Sequence, residues 1–246
     1  MIKTKYLSIF ILTLYMSIQG QNNKCGEVTY EVTYDNTLIS LDSEFGDKEG
    51  IEGANKLISD AESITATLSF NENESSYSTD KKLNIDKEGG INITFLFAGG
   101  NNVFYHSKDS LSLLQSNSSL GKTYLIKRDA PKWIITKETK KIDDLTCYKA
   151  YTIKSNNKND DENITDKIGA IAWFCPSIPL SYGPVEFFGL PGLIIELKYS
   201  KMTYIAKKIK INKKNVRVEK PIDAEIITIK EFNLLAKKKV PSFFDN

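Results

Sequence analysis

Residues 187–197 read Phe187-Phe188-Gly189-Leu190-Pro191-Gly192-Leu193-Ile194-Ile195-Glu196-Leu197, a Gly-x-Pro-Gly corner joined directly to a run of strand-forming residues. Proline holds φ at about −65° and glycine tolerates positive φ, so Leu190 to Leu193 predicts a type II turn with Gly192 in the left-handed position. That turn would aim Leu193, Ile195, Leu197 and Tyr199 at one face of the strand that follows.

Upstream, Val28, Tyr30, Val32 and Tyr34 alternate with Glu27, Thr29, Glu31 and Thr33, the period-two pattern of a strand with one wet face. Ile64 to Asn71 and Ser75 to Thr79 predict a hairpin around Glu72-Asn73-Glu74. Ile91 to Phe97, Asn102 to Ser107, Ser110 to Gln115, Leu120 to Arg128, Trp133 to Thr136 and Leu145 to Ser155 continue as short strands between Gly, Asn, Asp and Ser clusters. Ile168 to Phe174 is apolar on both faces, as for a strand covered on each side. Leu193 to Tyr199 pairs with Tyr204 to Ile211, and Glu225 to Ile229 adds a last strand. Helical spacing is confined to Ala54, Leu57, Ile58 and Ala61, and to Phe232, Leu235 and Ala236 within 230–239. The polar stretch 155–166 reads as a loop, mobile over 156–161. The fold class is therefore mainly β: a strongly curved antiparallel sheet, a half-open or nearly closed barrel, with one or two small helices.

Around the opening motif stand Trp133, Ile142, Cys147, Lys149-Ala150, Ala172-Trp173-Phe174, Ile178-Pro179, Gly183-Pro184 and Phe187. Together with Gly189, Leu190, Pro191, Gly192, Leu193 and Ile194, this series resembles the GLPGLI family of Bacteroidetes exported proteins, over roughly Leu68 to Ile211. Cys175 departs from that pattern, which carries a hydroxyl residue there. The resemblance implies an exported β protein without an established activity. It also implies an association with TonB-dependent outer-membrane receptors and exported peptides. It supplies no catalytic residues.

Lys3 and Lys5 precede an apolar run over Tyr6 to Ile18, too short to span a bilayer but suited to the core of a signal peptide, with Gly20 before a cut at Gln21. The expected organisation is a leader over 1–20 and a single β domain over 21–246, with no membrane span after cleavage. Asn22-Asn23-Lys24 before Cys25 is not a lipid-attachment sequence. The expected address is the periplasm or outer-membrane face, or the medium beyond. The 33 basic and 31 acidic side chains become equal once Lys3 and Lys5 leave, and a neutral chain is not built to seek nucleic acid. The basic run from Lys207 to Lys220 reads as a solvated face.

An oxidising compartment permits a disulfide among Cys25, Cys147 and Cys175. If the strands flanking the 155–166 loop form a hairpin with Ile153 opposite Gly169, Cys147 faces Cys175 at about 4.5 Å between α-carbons, within bridging range. The other reading is two buried free thiols. His106 is the only histidine, so no multi-histidine metal site can form, and no nucleophile motif accompanies it. The acidic clusters Asp143-Asp144 and Asp160-Asp161-Glu162 lack calcium-loop spacing. No cofactor is indicated. Tyr182, Phe187 and Phe188 are the candidate ligand-facing aromatics, with barrel filling as their ordinary alternative role.

The function expected is that of an exported, non-enzymatic envelope protein that binds a ligand or serves as an accessory component. Its expected partners are a TonB-dependent receptor, an exported peptide or a lipid. Two alternatives stand beside it. One is a hydrolase or peptidase using His106 or a carboxylate such as Glu186 or Glu196, and the other is a purely structural envelope protein.

Overall fold

The computed structural model describes residues 25–35, 61–80, 92–153, 168–213 and 215–239. The expected leader, the expected helix over 54–60 and the loop at 155–166 lie outside them, and Ala61, the last residue of that helical pattern, is described and is not helical. The described chain forms β1 (Gly26–Tyr34), β2 (Ile64–Phe70), β3 (Glu74–Thr79), α1 (Ile93–Phe97), β4 (Phe104–Ser107), β5 (Ser112–Asn117) and β6 (Tyr124–Asp129). It continues with β7 (Ile134–Ile142), β8 (Leu145–Ile153), β9 (Ile168–Cys175), β10 (Leu193–Tyr199), β11 (Met202–Ile211), β12 (Glu225–Thr228) and α2 (Ile229–Lys239).

All twelve strands belong to one sheet, in the order β12-β6-β5-β4-β3-β2-β1-β11-β10-β9-β8-β7. Two meanders, β1 to β6 and β7 to β11, are joined by the antiparallel pairing of β1 with β11. Curvature follows from one connection. Flat, the ten strand intervals between β6 and β7 would measure about 48 Å. Yet only residues 130–133 link those strands, and five residue steps reach at most about 18 Å. The sheet must therefore curl until its ends approach one another, and it does so without closing.

The inner face is apolar because the alternation is strict where it matters. Val28, Tyr30 and Val32 of β1 and Ile64, Ala66, Leu68 and Phe70 of β2 are all buried. The space inside is filled by the β9–β10 connection, which buries Ile178, Leu180, Tyr182, Val185, Phe187, Phe188 and Leu190. Tyr30 crosses this core to donate to the carbonyl of Ile194 at 2.6 Å. The crossover between β6 and β7 is tied to the same filling, since Trp133 Nε1 donates to Phe188 O at 2.8 Å and its ring packs on Phe187.

Three expectations change. Ile91 to Phe97 is not a strand: Ile93–Phe97 is helical, capped by the Asn92 side chain, which accepts from Thr94 N. Thr94, Phe95 and Ala98 turn inward at helical spacing, a solution that a short apolar run does not distinguish from a strand. The outer face of β9 is only half-buried at Ile171 and Trp173. Trp173 is covered instead by Lys140, whose Nζ sits 4.4 Å from the ring centroid and 2.5 Å from Glu196. Finally, Ile194 pairs with Phe174 but Glu196 with Trp173, so Ile195 sits in a bulge and Ile194 and Ile195 are both buried.

β12 pairs in parallel with β6, and α2 packs back on it, bringing Phe232, Leu235 and Ala236 against Tyr124, Leu120 and Ile227. Lys239 Nζ then donates to Leu120 O at 2.6 Å. No helix among the described residues is long and apolar enough to cross a membrane.

Candidate functional site

The motif corner is tighter than a type II turn. Gly192 N donates to Leu190 O at 2.8 Å, a three-residue turn centred on Pro191, whose ring already holds the required φ. Gly192 is not at positive φ; Gly189 is, at 91°. Glycine is required at 192 by close approach: a β-carbon there would lie 2.5 Å from Cys175 O and 2.8 Å from Pro176 N.

Cys175 is in turn bonded to Cys147, with α-carbons 4.3 Å apart. The expected register between β8 and β9 is corrected at its anchor. Ile153 faces Ile168 and not Gly169, because the pairing shifts between Tyr151 and Ile153. Beyond the shift Ala150 faces Ala172 and Tyr148 faces Phe174, which carries the two strands to the cysteines. Cys25 is a free thiol, its Sγ donating to Lys213 O.

Two pockets open where the β9–β10 connection meets the wall formed by β4, β5 and β6. The larger, about 530 Å³, has an aromatic floor of His106, Tyr182 and Phe188, with Leu180 beside them and Leu111, Lys108 and Glu72 around the mouth. The imidazole of His106 stacks on Phe188 at 4.1 Å between centroids and meets Tyr182 edge-on at 6.0 Å. His106 Nε2 lies 3.1 Å from Ser110 O, and since a carbonyl can only accept, that nitrogen carries the proton. Nδ1 is buried without a partner. Burial depresses the pKa of His106, opposed by the hydrogen bond to Ser110, so the ring is held neutral. Tyr182 donates to Asn71 O, and burial pushes its phenol up to about 12. Leu111, 88% exposed, stands over the mouth with no cover of its own.

The second pocket, about 260 Å³, lies further along the same wall. Phe104 faces it, two residues from His106 on the inner side of β4, together with Tyr204, Tyr199, Gln115, Arg128 and Glu186. Glu186 is presented by a turn in which Phe187 N donates to Pro184 O at 3.1 Å, with Val185 at φ 47°.

The structure thus brings Tyr182, Phe188 and Gly189 to one pocket. Phe187 faces elsewhere, packed between Trp133 and Tyr199 at 5.8 and 4.9 Å. Leu190, Leu193 and Ile194 are buried core, Trp173 is on the outer face, and Gly183-Pro184 leads into the turn before Phe187. His106 and Glu186, both candidates in the hydrolytic reading, line different pockets. Glu196 faces outward in its ion pair with Lys140. The basic run is partly neutralised by Lys207 with Glu31, Lys213 with Glu27 and Lys220 with Glu74. Among the described residues no group of three His, Cys, Asp or Glu is arranged to hold a metal. Gln115 and Arg128 were not singled out from sequence. The signal for both is a polar residue at an inward parity of a strand, Gln115 after buried Leu113 and Arg128 after buried Ile126.

Residues 152–196, which run from the end of β8 through β9 and the motif corner into β10, match a family model described as a protein of unknown function, Porph_ging. No curated protein matches the chain. Among solved structures the chain is similar to PNGF-II in two crystal forms. The P21 form gives 11% identity and a TM-score of 0.48, covering 88% of this chain and 34% of that one. The C2 form gives 13% identity and a TM-score of 0.45, covering 88% and 33%. The chain therefore spans about a third of the length of PNGF-II.

Proposed function

We propose that the chain is an exported ligand-binding protein of the GLPGLI type, acting at the periplasmic or outer-membrane face, and that its ligand enters the pocket over His106 and Phe188. The observation that carries this reading is the pocket itself. Its volume of about 530 Å³ lies within the range of ligand sites, about 300–1,000 Å³, and its floor is aromatic with few polar groups. His106 supports binding more than proton transfer, because its one hydrogen bond goes to a backbone carbonyl and its other nitrogen is buried and unpartnered. The mouth carries charges of both signs, Lys108 and Glu72, which suits the apolar side chain of an exported peptide better than a bare acyl chain. A TonB-dependent receptor as a second partner belongs to the same proposal and rests on the family resemblance.

Native mass spectrometry of the protein exported by its own host and purified without reducing agent tests this reading. A discrete peptide adduct that is lost in Leu111→Asp is the expected result. Leu111 is almost wholly exposed, so its replacement leaves folding intact. A bare mass in both proteins, or an adduct indifferent to Leu111→Asp, overturns the assignment, and a lipid adduct overturns the peptide class.

A further inference from the structure

The smaller pocket holds an acid and a base that do not neutralise each other. Among the described residues neither Glu186 nor Arg128 takes part in an ion pair, although both line this one pocket. Among the described residues the Glu186 side chain accepts no hydrogen bond. Arg128 uses only its Nε, which donates to Gln115 Oε1 at 2.9 Å, so the outer edge of the guanidinium is free for a planar acceptor. Gln115 is itself buried and positions the arginine.

The fold holds Glu186 in place against a local preference. Val185 occupies the first central position of the Pro184–Phe187 turn at φ 47°, where glycine is the usual residue and a β-branched one is strained. Val185 is buried, and that anchorage keeps the next residue turned toward the pocket. Glu186 lines this pocket together with Tyr199 and Tyr204, and its carboxylate adds to burial in raising both phenols. Apolar surface completes the pocket: Phe104 and Tyr204 form its wall, and Leu96 and Phe97 of α1 stand at the rim, 60% and 56% exposed. At about 260 Å³ it falls just below the roughly 300–1,000 Å³ of sites for drug-sized ligands, leaving room for one amino-acid-sized molecule.

We propose that this pocket is a second binding site, for a small zwitterion of the α-amino acid class with an apolar side chain. The ligand carboxylate lies on the free edge of Arg128, its ammonium on Glu186, and its side chain against Phe104 and Tyr204 beneath Leu96 and Phe97. The site is independent of the peptide pocket, because the two sets of lining residues share no member.

Calorimetric titration of the full mature chain with L-phenylalanine and L-leucine tests the assignment, with 3-phenylpropionate and 2-phenylethylamine as probes lacking one charge each. Saturable binding of at least one amino acid is expected, with the single-charge probes weaker by about tenfold or more, as the loss of a charge-assisted hydrogen bond dictates. Glu186→Gln should erase the preference for L-phenylalanine over 3-phenylpropionate, while Lys207→Gln, at a residue that lines neither pocket, should leave it unchanged. Arg128→Gln should erase the preference over 2-phenylethylamine; if that variant fails to fold, Glu186→Gln alone decides. Absence of binding by both amino acids at millimolar concentration, or an undiminished preference in folded Glu186→Gln, overturns the proposal.

Discussion

The backbone of Gly192 rests against the carbonyl of Cys175, so close that a β-carbon at 192 would lie 2.5 Å from that oxygen. The neighbour is backbone at the end of the β9–β10 ladder, where Leu193 pairs with Cys175 and the Cys175 carbonyl also accepts from Ile178 N, so it cannot easily swing aside. Gly192→Ala should therefore destabilise the protein by about 1–3 kcal/mol, the ordinary cost of overpacking, and Gly192→Val by more. Denaturant unfolding of the two variants checks this, and equal stability of Gly192→Val and the native protein would count against the close approach.

The disulfide closes a loop in which its cysteines are 28 residues apart. Loop-closure entropy gives such a bridge about 3.6 kcal/mol. Replacing both cysteines by serine should lower the unfolding free energy by that order, and reductant should shift the native protein to the same value while leaving the variant unchanged.

Two core tyrosines make opposite predictions. Tyr30 donates to Ile194 O, and Tyr30→Phe would strand that buried carbonyl at a cost of about 1–2 kcal/mol. The hydroxyl of Tyr77 is buried without a partner, packed among Tyr30, Phe104 and Tyr204. Tyr77→Phe should be neutral or stabilising by up to about 1 kcal/mol. Parallel chemical denaturation of both variants reads the difference in sign.

The histidine gives a pH dependence with a definite sign. Burial depresses the folded pKa of His106 below its ordinary value of about 6.5, so the unfolded chain takes up its proton first as pH falls. The neutral ring's contribution is complete above that value and is lost as pH falls from there toward the folded pKa. The unfolding free energy of the native protein minus that of His106→Gln should accordingly shrink on acidification from pH 7. A difference that stays flat, or grows, would show that the ring is not held neutral.

The curvature of the sheet was legible because β1 and β2 alternate without error and because the strands are short and evenly punctuated. The ambiguity at Ile91 to Phe97 was physical: five apolar residues suit a strand or a capped turn of helix, and Asn92 with its bond to Thr94 settles it. The Pro191-Gly192 corner misled for another reason. The glycine is demanded by a carbonyl on the neighbouring strand and not by its own φ, and local sequence carries no trace of that neighbour. The bulge at Ile195 likewise depends on how β10 pairs with β9. Tyr182 and Phe188 could be marked from sequence as aromatics near the motif. That Arg128 and Glu186 line one pocket could not, because they share it only after β6 and the β9–β10 connection have packed inside the curl.

The Cys147–Cys175 bond has a consequence for chain continuity. Every peptide bond between those two positions, including all of 154–167, lies within a covalent ring. A protease that cuts there makes two polypeptides but one molecule: β1 to β7 stay tethered to the motif corner and everything after it. Such a nicked protein would run as a single species on a non-reducing gel and separate into two fragments only when thiol is added.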